Sequence, residues 1–103
     1  MQKFVVMYPR QPDMEAFKAY YVEKHIPLAR KIPGLQALRY SFDPQTLAGE
    51  AQFACIFEGD FADAQALGAG MSSPEGERVA ADVVNFARVP PLIVHYSIAE
   101  EAG

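Results

Sequence analysis

The chain has no tryptophan, one cysteine and only two histidines among its 103 residues. The single Cys55 cannot close an internal disulfide, so a reducing cytoplasm is the expected setting. No Cys/His or carboxylate cluster has metal-ligand spacing, and no glycine-rich loop opens a helix to cradle a phosphate. Gly68-x-Gly70 falls where a helix is expected to end, which excludes a dinucleotide fingerprint. No apolar run is long enough to span a bilayer, and charges and prolines by Arg10 and Pro12 interrupt any N-terminal signal region. Positive charge is sparse: 9 basic residues against 13 acidic ones leave a net charge of −4. Nothing in that balance attracts nucleic acid or an acidic membrane surface. Solenoid repeats and low-complexity tracts are absent too.

What remains is a chain that is 50% hydrophobic, of a length that suits one domain over residues 1–103. A domain of this size buries roughly 65% of its unfolded surface, enough for a modest core. Lys3 to Tyr8 is a β-branched and aromatic run stopped by Pro9 and reads as a strand. Asp13 is a good N-cap for a helix whose apolar face is Met14, Phe17, Tyr21, His25, Leu28 and Ile32. Pro27 cannot donate to the Glu23 carbonyl, so a kink or restart is expected there, and Pro33-Gly34 ends the helix. Leu35 to Asp43 and Gln52 to Glu58 read as the second and third strands. Asp60 is placed to cap a short helix ending near Gly68 and Gly70. Ser73-Pro74 then starts another, with Val79, Val83 and Phe86 on its apolar face. Leu92 to Ile98 is the last strand, followed by a loose tail from Glu100 to Gly103.

The order β-α-β-β-α-β is the ferredoxin-like α+β pattern, a four-stranded antiparallel sheet with its helices on one face. Such a sheet should alternate apolar and polar residues. The first, third and fourth strands are instead apolar on both parities, at Phe4 to Tyr8, Phe53 to Phe57 and Leu92 to Val94. Something must cover the second face, and a second copy of the same sheet is the simplest cover. A homodimer through the sheet faces is therefore expected.

His25 is the candidate for chemistry. It sits on the sheet-facing edge of its helix, and an unperturbed imidazole titrates near ~6.5. It could act as a general acid or base, or simply bond a backbone carbonyl freed by Pro27. Tyr21 shares the helix face of His25 and could orient a ligand; Tyr20, its neighbour, cannot also face inward. Tyr8 and Tyr40 lie on strands and are further candidates for substrate contact. His95 and Tyr96 point to opposite faces, and whichever faces the helices could join His25. Asp82 borders the apolar stripe of the last helix and could reach a pocket rim close to Phe86. Cys55 reads as a small buried hydrophobe.

The run Tyr20-Tyr21-x3-His25-x-Pro27-Leu28, followed by Pro33-Gly34, resembles the EthD family, small proteins associated with ethyl tert-butyl ether degradation. Asp82-Val83-Val84-Asn85-Phe86 and the strand ending Met7-Tyr8-Pro9-Arg10 are similar to that family as well. The likeness runs over nearly the whole chain. It implies a dimeric α+β barrel, in a wider superfamily of cofactor-free monooxygenases, muconolactone-type isomerases, polyketide cyclases and haem-dependent enzymes. It also implies that the family's histidine is His25.

Three functions compete. The first is a small cofactor-independent enzyme or accessory protein acting on an apolar, aromatic or oxygenated molecule, with His25 as acid/base and Tyr21, Tyr8, Tyr40, Asp82 and Phe86 around the substrate. The second is a dimer that binds a hydrophobic ligand without catalysis. The third is a haem protein with His25 or His95 as axial ligand, for which the sequence offers no strongly basic patch.

Overall fold

In the computed structural model, which describes residues 1–100, strand β1 (Gln2–Pro9) lies between β3 (Phe53–Phe61) and β4 (Leu92–Ser97). Strand β2 (Ala37–Phe42) completes the sheet beyond β3, giving the order β2-β3-β1-β4 with every pairing antiparallel. This is the ferredoxin-like α+β arrangement. The part of the expected loose tail from 101 to 103 lies outside the described residues.

One face of the sheet carries Phe4, Val6 and Tyr8 of β1 with Cys55 and Phe57 of β3, and the helices pack on it. Helix α1 (Met14–Tyr20) starts where expected, with the Asp13 carboxylate accepting from the Ala16 N–H at 3.1 Å. The chain then passes through one π-helical turn, Tyr21–His25, into the short helix α2 (Ile26–Ala29) without a break. The Ile26 N–H bonds the Tyr21 carbonyl five residues back. Pro27, with no N–H to give, follows inside the first turn of α2. The helix thus absorbs the proline by widening rather than by kinking. The extra residue in that turn shifts the buried face: Ile26 and Ala29 enter the core at 1% and 2% exposure, while Leu28, expected there, is only half-buried.

Two further expectations need correction. β3 does not stop at Glu58 but continues to Phe61, and Asp60 is a strand residue, not a helix cap. Phe57, Gly59 and Phe61 alternate inward; a glycine in the middle of that series hides the period of two. Asp60 points to the other face and pairs with Lys3 at 2.5 Å. The cap is Asp63, which accepts from the Ala66 N–H at 2.7 Å and opens α3 (Ala64–Ser72).

Gly68 and Gly70 do not end α3; both lie inside it. A Cβ on Gly70 would stand 2.5 Å from the Pro33 carbonyl oxygen, so this glycine permits the close approach of α3 to the end of the first helical section. Ser73 then joins α3 to α4 (Pro74–Asp82): its hydroxyl donates to the Gly70 carbonyl at 2.5 Å and accepts from the Gly76 N–H at 3.0 Å. A 3₁₀ turn, Val83–Asn85, follows α4.

The two α3 glycines should respond oppositely to alanine. Gly68 faces open space, so Gly68→Ala gains helix propensity and stabilises by up to ~1 kcal/mol. Gly70→Ala meets backbone, and overpacking of about 1–3 kcal/mol outweighs the same gain. Urea unfolding should move the two midpoints in opposite directions, and a shared direction would contradict the packing described.

Candidate functional site

Asp82, at the end of α4, is the junction of the site. Its carboxylate is buried at 8% exposure and receives three side chains from three parts of the chain. The Tyr20 hydroxyl donates to Oδ1 at 2.7 Å, and the Asn85 amide donates to the same oxygen at 3.0 Å. His25 Nδ1 stands 2.9 Å from Oδ2. The π-helical turn and the α4 terminus thus bring together groups 57 residues apart in sequence.

Charge follows from these contacts. Burial acts to raise the Asp82 carboxyl, but the bonds from Tyr20, Asn85 and His25 prevail and hold it below its ordinary value. Burial lowers the His25 imidazole below its ordinary value, against the opposing bond and charge of Asp82. Near neutral pH the pair is therefore an ionised carboxylate and a neutral imidazole. With the carboxylate as acceptor, Nδ1 carries the proton, and Nε2 is left as the basic nitrogen. Among the described residues Nε2 has no hydrogen-bond partner. The bond to Asp82 raises the Tyr20 phenol, which keeps Tyr20 a donor.

An aromatic cage surrounds the imidazole. The Phe86 ring lies 4.6 Å from it, centre to centre, and the Tyr21 ring stacks on it at 5.4 Å. A cavity of about 30 Å³ adjoins His25, lined also by Tyr8, Tyr21, Phe57 and Val79. That volume admits one or two waters, not a metabolite. Tyr21 has no exposed surface, and its buried hydroxyl makes no well-formed hydrogen bond, its one polar contact being a weak one with the Cys55 thiol. Burial raises both the Tyr21 and Tyr8 phenols, so both stay protonated. Burial likewise pushes the Cys55 thiol up to about 12, which leaves it unreactive.

A larger cleft of about 340 Å³ opens on the outer side, between α1 and the segment from Asn85 to Arg88. Phe17, Tyr20, Asn85, Phe86 and Arg88 are among its walls. Phe86 faces this cleft and also packs on His25, so its ring stands between the cleft and the imidazole.

An EthD domain model matches residues 11–89. The chain belongs to the EthD family. An uncharacterized 11.0 kDa protein from the thcB–thcC intergenic region of Rhodococcus erythropolis is 34% identical over 91 residues, covering 84% of each chain. The crystal structure of an ethyl tert-butyl ether degradation (EthD) family protein from Bacillus halodurans superposes with a TM-score of 0.87 at 28% identity, covering 96% of this chain and 99% of that one. A dimeric ferredoxin-like protein of unknown function from Jannaschia sp. superposes with a TM-score of 0.69 at 21% identity, covering 94% of this chain and 98% of that one.

In this EthD chain the candidate residues fall into two groups. His25, Tyr21 and Tyr8 line the small cavity, and Phe86 packs against His25. Tyr40 stands one layer out, its ring edge-on to Tyr21 at 5.5 Å. Asp82 was expected at a pocket rim; it lies behind the imidazole with both oxygens bonded, because α4 ends over the π-helical turn. His25 bonds this carboxylate rather than a carbonyl freed by Pro27. His95 does not join His25. It pairs with Phe4 across the sheet but is exposed, and its Nδ1 lies 2.7 Å from Gln2 Oε1. Tyr96 is on the opposite face. Tyr20, set aside because Tyr21 faces inward, proves to be a ligand of Asp82 from the side of the helix.

No helix among the described residues is long and apolar enough to cross a membrane, and no group of three or more His, Cys, Asp or Glu side chains among them is arranged to hold a metal ion. The depressed imidazole value makes a stability prediction. The folded state binds its proton less readily than the unfolded chain, so this contribution is complete above the ordinary value near ~6.5 and is lost as pH falls through the folded value. The Asp82 contribution has the same sign at lower pH, complete above ~3.9 and lost as pH falls through its depressed folded value. Thermal unfolding of the wild type should therefore lose more Tm between about pH 7 and 5 than that of His25→Gln. Equal losses in the two proteins would show that His25 is not held neutral.

Proposed function

We propose that this EthD-family protein is a small enzyme that moves a proton on an apolar, oxygenated small molecule with its own side chains and no bound cofactor. The observation that supports this most is the buried bond between His25 Nδ1 and Asp82, which leaves Nε2 as a free base beside a cavity. His25 takes or returns the proton, and Asp82 acts as the positioning residue. Asp82 fixes the tautomer and steadies the imidazolium formed in the reaction. The Tyr21 hydroxyl, with no well-formed hydrogen bond of its own, is the natural donor to a substrate carbonyl or hydroxyl oxygen, helped by Tyr8 on the same wall. Proton transfer next to such an oxygen is a step common to the isomerase and cyclase chemistries that the family resemblance brings in.

A carrier of hydrophobic ligands would need the cage but not an oriented base, so the Asp82 pairing favours the enzyme. Haem fits these residues poorly. The space beside His25 is about 30 Å³, far below a macrocycle. His95 is exposed at the sheet edge and engaged by Gln2.

The same reading makes the protein a homodimer through the open sheet face. Val5, Met7, Ile56, Val94 and Tyr96 share that face, and no helix covers it. Leu92, Val94 and Tyr96 are exposed at 53%, 37% and 49%. At one end of the face Lys3 and Arg39 pair with Glu58 and Asp60 within 3.8 Å, so these charges enter an interface already balanced. The Lys3 bond, prevailing over burial and helped by Arg39, holds the Asp60 carboxyl below its ordinary range.

Two measurements test these proposals. In heavy water, α-proton exchange of a panel of apolar ketones should fall by ~10²–10⁴-fold in His25→Ala. Asp82→Asn should slow exchange less and move the acid limb of its pH profile lower, because the imidazole loses its stabilising charge. Exchange that proceeds unchanged without His25 would remove the imidazole as the base. In sedimentation at micromolar concentration the wild type should run as a dimer and Val94→Asp as a monomer; a monomeric wild type rules out the sheet-face interface.

A further inference from the structure

We propose that the outer cleft binds a small apolar carboxylate, with the anion at Arg88 and the apolar body against Phe17 and Phe86. This deepens the proton-transfer reading, on which its functional meaning rests, by naming the class of substrate. The cleft, at about 340 Å³, falls within the range of small-molecule sites, whereas the cavity at His25 does not. The bulk of any substrate must lie outside that cavity, and the cleft adjoins the imidazole through Phe86, a cleft wall that packs on His25.

The polar groups of the cleft narrow the chemistry. The Gln11 side chain is fully used. Its amide donates to the Pro9 and Val89 carbonyls at 2.9 and 3.0 Å, and its oxygen accepts from the Arg88 and Val89 N–H groups at 2.9 and 3.1 Å. This clip fixes the backbone on which Arg88 stands. Asp13 is held by the Ala16 N–H at the positive end of the helix, and Tyr20 and Asn85 donate to Asp82. Asp13 keeps one carboxylate oxygen and Asn85 its amide oxygen unused, and Arg88 is the one cation among the walls: it is exposed, and among the described residues no carboxylate lies within ion-pair distance of it. A guanidinium beside aromatic walls suits a carboxylate attached to an apolar body. Such a ligand would touch Tyr20, Asn85 and Phe86 together. Tyr20 and Asn85 hold Asp82, and Phe86 packs on His25, so a ligand in the cleft lies against the groups that set the imidazole in place.

The test is an NMR titration of the ¹⁵N-labelled chain with 3-phenylpropionate and with its neutral amide. The carboxylate should give saturable shifts at Ala16, Phe17, Asn85 and Arg88 and bind about three- to fivefold tighter than the amide. Arg88→Gln should abolish that preference while keeping the wild-type spectrum elsewhere, since only the Arg88 backbone is bonded to Gln11. Shifts that are absent or lie elsewhere, or a preference that survives Arg88→Gln, overturn the proposal. His25→Gln separates it from the proton-transfer reading. A preference retained there, with ketone exchange independent of His25, supports the cleft and sinks only the chemistry.

Discussion

The buried Asp82 carboxylate is the constraint on which the site depends. A carboxylate out of water is costly unless it is bonded on every side. Asp82 meets that requirement with Tyr20, His25 and Asn85, which come from α1, the π-helical turn and the turn after α4. The two helical sections are locked to one another at that point. The same bonds decide the protonation of the imidazole and which of its nitrogens is basic. Fold and imidazole protonation therefore share one group, and a change at Asp82 should disturb both.

The π-helical turn supplies the geometry. In a regular helix the stripe through Tyr21 and His25 would continue to Leu28; the added residue brings Ile26 and Ala29 into the core instead. His25 then sits where the buried face changes register, with Phe86 on one side and Tyr21 on the other. Packed aromatic rings exclude water from the imidazole and lower its proton affinity. The sheet's other face takes no part in this. Its exposed strand β4 and its internally paired charges fit association rather than chemistry.

Much of the fold was legible because local signals set it. The β-α-β-β-α-β order followed from apolar runs and punctuation, and the caps at Asp13 and Ser73 are where the sequence placed them. Misplaced boundaries had local causes as well. Gly59 interrupts the alternation of β3 and makes Asp60 resemble a cap, and Gly70 resembles a terminator because a close approach to Pro33 is invisible along the chain. In the site, His25 stood out by its position before Pro27, and Asp82 and Asn85 only by the likeness of the segment Asp82 to Phe86 to the EthD family. The bond between His25 and Asp82 was not legible, since nothing local relates residues so far apart. The Gln11 clip carried no sequence signal at all.

The central claim is that His25 is neutral near pH 7 with its proton on Nδ1 toward Asp82. ¹⁵N NMR of the His25 ring tests it most directly. The account predicts a protonated Nδ1, an unprotonated Nε2 and a titration below the ordinary ~6.5. A His25 ring that is an imidazolium near pH 7, or that carries its proton on Nε2, would contradict it.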